Sequence, residues 1–260
     1  HTALVAVPLM TAIGGELADE WLPRVAAGEA RVAVGLERNL LVEDAHVADL
    51  LLLQRGDAIV VVGRDEVELR HNPSVDPSRR LYAVALDDAR ATSVATGSQA
   101  AGLADAALNR GALGCAAQAL GLAQRMLDMS VNYTAERHQF GVPIGSFQAV
   151  KHHMADVAVR LEYARAPVYR AACELARGRD IAGQAVSHAK LAACEAAGLA
   201  AKHSIQAHGA MGYTWEVDLH IFMKRAWALA NTWGDAGFHK ARVARRIFAE
   251  DAALGAGATF

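Results

Sequence analysis

Two short runs hold the residues whose types and spacing could do chemistry in this chain. The first is Tyr133-Thr-Ala-Glu-Arg-His-Gln-Phe-Gly141 and the second is Gln206-Ala-His-Gly-Ala-Met-Gly-Tyr213. In the first, Arg137 carries a planar fork of donors suited to gripping a pyrophosphate. Gln139 and Phe140 follow it directly. Taken alone, an arginine just past the end of a helix also complements the helix dipole, and Phe140 also suits a core or interface anchor. In the second run, Gly209-Ala-Met-Gly212 is a small-residue turn, which by itself is equally an ordinary helix break.

The remaining reactive residue types do not assemble into patterns. Of the eleven histidines, His152 and His153 are adjacent, so on a helix they point about 100° apart. His203 and His208 are five apart and share a helical face poorly. There is no H-E-x-x-H run, no P-loop and no G-x-S-x-G elbow, so no metal site is expected. Cys115, Cys173 and Cys194 form no C-x-x-C pair and read as buried free thiols, small hydrophobes in effect. Free thiols fit an intracellular, cytoplasmic protein.

The bulk numbers exclude several classes of function. With 26 basic and 28 acidic residues the formal charge is −2, which gives no basic surface for nucleic acid. No signal peptide is evident, and every apolar run stops well short of the roughly 20 residues that a span needs, so no membrane insertion is expected. At 53% hydrophobic over 260 residues, the chain can bury a substantial core.

The pattern that positions the two runs changes twice along the chain. Residues 1–30 read as helical, with Gly28 closing the segment as a C-cap. Residues 31–97 carry β-type runs at Val32–Leu36, Leu50–Leu53, Ala58–Val62, Val67–Arg70 and Leu81–Leu86, separated by Gly, Asp, Asn and Pro turns. That spacing predicts a small antiparallel barrel or sandwich. Residues 98–260 predict an up-and-down bundle of long helices, at Ser98–Thr134, Ser146–Gly178 (with Ser146 as N-cap), Ile181–His208, Glu216–Leu229 and Asp235–Ala252. The fold class is mainly α with a small β-domain.

The two runs, taken with Leu120-Gly-Leu-Ala-Gln-Arg125, Phe147-Gln148 and Thr232-Trp-Gly-Asp235, resemble the acyl-CoA dehydrogenase family over about residues 14 to 250. The resemblance implies that 1–30 correspond to part of an N-terminal helical domain, with the small β-domain and the C-terminal bundle following. It also implies the chemistry. An acyl-CoA thioester is oxidised to the 2,3-enoyl-CoA with FAD: a carboxylate removes the α-proton, and hydride passes from the β-carbon to the flavin.

In that family the ADP half of each FAD is held by the neighbouring subunit. The resemblance carries this role to Arg137 at the pyrophosphate, with Gln139 and Phe140 flanking it and Gln148 nearby. Gln206 and Gly209 fall at the adenosine end, and Ala210 stands where a second glycine is usual. The positions serving a chain's own substrate differ. Trp233 stands at the usual catalytic glutamate, Gly111 at the alternative one, and Ala112 at an arginine near CoA. Gly35-Leu-Glu-Arg-Asn39 replaces the flavin-contacting loop. The pattern is similar to the short, non-catalytic subunit of two-gene actinobacterial enzymes that act on steroid side-chain thioesters. It implies an α2β2 assembly with a catalytic subunit that binds most of the acyl-CoA, and a separate electron-transfer acceptor. A fatty or branched acyl group fits these residues equally. Within the same family, Asp235 or Glu216 could instead serve as a relocated base in a self-sufficient enzyme. For Asp235 the competing role is to cap the last helix. A non-enzymatic module of this fold is the third reading.

Overall fold

A computed structural model gives the architecture of the chain. It describes residues 1–39, 41–249 and 252, residue 88 by its backbone alone. The chain divides into two compact units, His1–Gly111 and Ala112–Phe260.

The first unit opens with a π-helical turn, Thr2–Ala6, followed by α1 (Val7–Ile13) and α2 (Gly15–Ala26). Gly28 closes α2 as expected. It lies at φ 77°, and the N–H groups of Gly28 and Glu29 reach back to the carbonyls of Val25 and Arg24 at 3.1 and 2.9 Å. Only a residue free of a Cβ adopts that left-handed geometry cheaply.

Seven strands then build two sheets. β1 (Val32–Gly35), β3 (Leu50–Arg55), β4 (Ala58–Gly63) and β7 (Thr92–Thr96) form one, in that order. β2 (Val42–Glu43), β6 (Leu81–Leu86) and β5 (Val67–Asn72) form the other. The core between them takes Leu51 and Leu53 from β3, Val60 and Val62 from β4, Val42 from β2 and Val67 from β5, the period-2 alternation of a sheet face. The expected all-antiparallel pattern fails at one edge. β1 runs parallel to β3, with Val32 opposite Leu50, because the chain leaves the first sheet to place β2 in the second before it returns. β2 and β7 escaped the sequence reading: one is two residues long, and the other is the polar run Thr-Ser-Val-Ala-Thr.

The helical part begins with α3 (Gly97–Glu136) and continues through α4 (Gln148–Ala176), α5 (Ala182–His208), α6 (Leu219–Ala230) and α7 (Ala236–Ile247). α4 buries Met154, Val157, Leu161, Ala164, Val168 and Ala171, spaced three and four apart as one apolar stripe requires. It packs on α5, whose buried face is mostly alanine. Such small side chains let helix axes approach closely.

Three helix ends differ from expectation. Ser146 is not the N-cap of α4. That position falls to Phe147, and the Ser146 hydroxyl donates instead to the Pro143 carbonyl at 2.7 Å. α6 starts at Leu219 after Asp218, which leaves Glu216 on the preceding turn. α7 stops at Ile247 with Phe248 as its C-cap; residues 250 and 251 of the expected extension lie outside the described set. Of the three free thiols, Cys115 is buried, while Cys173 and Cys194 are only half-buried. No helix among the described residues is long and apolar enough to cross a membrane.

Candidate functional site

The first run folds into a device that pushes Phe140 into solvent. After α3 ends at Glu136, β8 (His138–Gln139) and β9 (Val142–Pro143) pair as a minimal hairpin, Gln139 opposite Val142. The two connecting residues, Phe140 and Gly141, both have positive φ, 56° and 81°, the geometry of the twist-matched hairpin turn. Gly141 accepts this freely. Phe140 is strained by it, since a bulky L-residue in the left-handed region costs about 1–2 kcal/mol. The ring gains no burial in return: it is 92% exposed and touches Phe147 edge-on at 6.2 Å between centroids. Strain held at a surface aromatic is a mark of function.

The hairpin is fastened to α3 at both ends. The Arg137 N–H bonds the Tyr133 carbonyl and the Ile144 N–H bonds the Arg137 carbonyl, each at 2.8 Å. Gly145 crosses so near that a Cβ there would sit 2.9 Å from the Thr134 carbonyl oxygen, so the position admits only glycine without movement. The Arg137 side chain is exposed, and its guanidinium makes no hydrogen bond or ion pair with another described residue.

The second run meets the first through two rings. The His208 imidazole stacks on the Tyr133 ring, 4.2 Å between centroids and 18° between planes. This contact joins the last turn of α5 to the last turns of α3. His208 is buried, 5% exposed, and its Nδ1 lies 2.8 Å from the Ser204 carbonyl. Burial holds its pKa below the ordinary histidine value against that hydrogen bond, which pulls the other way. The ring is therefore neutral at pH 7, with the proton on Nδ1 donated to Ser204. Ser204 Oγ in turn donates to the Met126 carbonyl at 3.2 Å, a second tie between α5 and α3.

Gln206 and Gln139 are exposed. So is Gln148, in the first turn of α4, directly after the Phe147 that meets Phe140. Gly209 ends α5 at φ 58° with open space where a Cβ would stand, so its backbone is approachable. Ala210 is exposed on the turn that follows. The arrangement offers one unpaired cation, amide side chains, an exposed aromatic face and open backbone. Those are groups for holding a phosphate-bearing ligand, with no carboxylate among them to abstract a proton. Tyr133 and His208 were missed as a pair. Their proximity depends on how α3 and α5 pack, and the only sequence signal was that each lies inside one of the two runs.

A different arrangement surrounds Trp233. This residue is buried, 5% exposed, in the left-handed region at φ 58° and followed by Gly234 at φ 96°. Its carbonyl meets His239 Nε2 at 3.0 Å. Lys190, 2% exposed, places Nζ 2.8, 3.1 and 3.4 Å from the carbonyls of Leu229, Ala230 and Gly234. A buried ammonium thus serves the carbonyls that a helix end leaves without partners. Asp235 caps α7, its Oδ1 accepting from the Phe238 N–H at 2.8 Å. A cavity of about 340 Å³ lies beside the loop, lined in part by Lys190, Cys194, Asp235 and His239. Gly111 and Ala112 are buried within α3, and Glu216 is exposed.

Comparison with known proteins identifies the family. Residues 101–248 match the family model described as acyl-CoA dehydrogenase, C-terminal domain. The chain is 33% identical over 255 residues to the acyl-CoA dehydrogenase IpdE2 of Mycolicibacterium smegmatis, covering 95% of this chain and 75% of that protein. Among solved structures, a glutaryl-coenzyme A dehydrogenase in complex with glutaryl-CoA superposes with a TM-score of 0.85 at 23% identity, covering 98% of this chain and 76% of that one. A Tcur3481-Tcur3483 steroid ACAD superposes at 0.77 with 22% identity, covering 92% and 74%. With more than half its length matching the family model and most of it matching a relative, the chain belongs to the acyl-CoA dehydrogenase family.

Proposed function

We propose that this chain is the non-catalytic subunit of a heteromeric FAD-dependent acyl-CoA dehydrogenase, and that it completes the flavin site of a catalytic partner. The observation that carries the reading is the contrast between its two ends. At the loop where family members keep a glutamate, Trp233 is buried with its carbonyl taken by His239. Asp235, two residues on, is committed as a helix cap. At the other end, Arg137, Gln139, Phe140, Gln148 and Gln206 are all exposed.

These exposed residues fit the ADP half of FAD. Arg137 would hold the diphosphate with a guanidinium that has no competing partner among the described residues. Gln139, Phe140 and Gln148 flank it, and Gln206 and the open backbone at Gly209 and Ala210 receive the adenosine end. FAD held there would supply the hydride acceptor. The partner supplies the base, the CoA contacts and the choice of acyl group, for which the steroid ACAD among the structural neighbours makes a steroid-type thioester the first substrate to try. A positioned base is worth on the order of 10²–10⁴-fold in rate, so a chain without one is a poor catalyst alone.

The test is to assay acyl-CoA-dependent dye reduction for the purified chain, for the catalytic partner and for the two co-expressed. Activity confined to the complex is expected. Full activity from this chain alone, abolished by Asp235→Asn or Glu216→Gln, would instead establish a self-sufficient enzyme with a relocated base.

A further inference from the structure

The buried stripe of α4 has a counterpart on the other side of the helix. Val159, Tyr163 and Tyr169, turned away from that stripe, are 57, 77 and 70% exposed, and Ala166 is exposed between them. Single surface apolar residues are ordinary, but large ones gathered within about three turns of one helix mark a contact surface. The stripe inside runs unbroken past Pro167, from Leu161 and Ala164 to Val168 and Ala171, so the outward face continues past it too.

The charges on that face say what covers it. Asp156, Tyr163 and Arg170 stand seven residues apart, close to two turns, and so lie in one line along α4. The charged residues flanking the line are paired within the chain, Arg160 with Glu195 at 3.6 Å and Arg165 with Glu162 at 3.0 Å. On the line itself, neither Asp156 nor Arg170 makes an ion pair with another described residue. Arg170 does lie near His188, whose pKa is lowered by burial and then by this guanidinium, which is repulsion and not pairing.

A line that reads negative, aromatic, positive is its own complement when reversed. A two-fold axis through Tyr163 sets two such helices antiparallel. Asp156 and Arg170 each lie about 10 Å along the helix from Tyr163, so the axis brings Asp156 of each copy opposite Arg170 of the other. The exposed apolar residues then meet around the axis, with an ion pair at either end. A parallel pairing would set Asp156 on Asp156 and Arg170 on Arg170, and like charges opposed across an interface work against it.

We propose that a second copy of this chain docks on the outward face of α4, antiparallel and crossing at Tyr163, with Asp156–Arg170 ion pairs at both ends. This goes beyond the functional reading above, which names no surface joining like subunits, and it does not depend on that reading.

Analytical ultracentrifugation of the purified chain over a range of concentrations tests it. The wild type is expected to pass from monomer to dimer. Asp156→Arg and Arg170→Asp each set like charges opposite one another at both ends and are expected to weaken the dimer on the order of 100-fold. The double variant Asp156→Arg/Arg170→Asp restores opposite charges and is expected to dimerise within a few-fold of the wild type. Circular dichroism melts check that each variant is folded, and recovery in the double variant separates the pairing from any local effect of either substitution. A wild type that stays monomeric overturns the proposal, as do single variants that dimerise like the wild type. A folded double variant that stays monomeric overturns the antiparallel pairing. Single variants that keep the dimer but lose a co-expressed catalytic subunit would assign the face to that subunit and overturn the proposal as well. None of the substituted residues is among the proposed flavin contacts, so each of these outcomes is distinct from a failure of the flavin reading.

Discussion

His239 Nε2 and the Trp233 carbonyl lie 3.0 Å apart, and that bond fixes the protonation state of a fully buried imidazole. Burial presses the His239 pKa down to about 4, with the Trp233 hydrogen bond opposing the shift. The neutral ring must therefore carry its proton on Nε2 to donate to Trp233. Nδ1 is left as an acceptor 3.1 Å from the Ser187 hydroxyl, whose one proton is directed to the Gly183 carbonyl at 2.9 Å.

Stability should consequently depend on pH through this residue. The folded-state pKa lies below the unfolded value of about 6.5, so the unfolded chain binds more protons between the two. The contribution is complete above pH 6.5 and is lost as pH falls through about 4. Its ceiling is on the order of 3 kcal/mol. Urea denaturation of wild type and His239→Asn at pH 7 and pH 4.5 isolates it, because His208 and His188, also lowered by burial, are common to both. The wild type should lose more stability on acidification than the variant. Equal losses would remove His239 from the account.

Two glycines with positive φ should respond differently to alanine. At Gly234 a Cβ would lie 2.4 Å from Phe238 Cδ1 and 2.8 Å from His239 Nε2, whereas at Gly209 it would meet nothing. Gly209→Ala should cost only backbone strain, about 1–3 kcal/mol, because φ 58° with ψ −139° suits glycine alone. Gly234→Ala adds overpacking of roughly 1–3 kcal/mol. Thermal melts should rank wild type, Gly209→Ala and Gly234→Ala in falling order, and flavin retention by the complex should fall most for Gly209→Ala relative to its stability loss.

Asp235 separates the cap from the base. As the N-cap of α7, with Oδ1 on the Phe238 N–H, it should cost about 1 kcal/mol on replacement by alanine and almost nothing on replacement by asparagine. In the assembled enzyme Asp235→Asn should leave the rate unchanged. A fall of about 100-fold or more in an equally stable Asp235→Asn enzyme would identify a general base.

Phe140 should trade stability for function. Its φ of 56° suits asparagine far better than phenylalanine, and its 92% exposed ring gives little packing in return. Phe140→Asn is expected to stabilise the isolated chain by roughly 0.5–1 kcal/mol and to weaken flavin retention in the complex. A destabilised chain with unchanged retention would make the ring a structural element after all.

Much of this was legible in the sequence because it is local. The strands at Val32, Leu50, Ala58, Val67 and Leu81 announce themselves by apolar runs and turn residues, and the helix starting at residue 97 by its uninterrupted small and apolar content. The Gly28 cap and the Asp235 cap follow from residue type at a helix end. What was not legible depends on tertiary pairing. β1 pairs in parallel with β3, a choice made by the route of the chain and not by the side chains of β1. Lys190 reads as a surface lysine on an alanine-rich helix, and only the arrival of the Leu229–Gly234 carbonyls makes it a buried cap. The strain at Phe140 could be seen only once Gln139 was found opposite Val142.

The most direct measurement is the FAD-to-polypeptide ratio of the chain purified alone, set beside that of its complex with a catalytic subunit and of the same complex carrying Arg137→Ala. The account predicts a ratio near zero for the chain alone, a flavin-loaded complex, and loss of flavin from the Arg137→Ala complex with both subunits still folded. A ratio near one for the isolated chain, with the flavin bleaching on addition of an acyl-CoA, would contradict it.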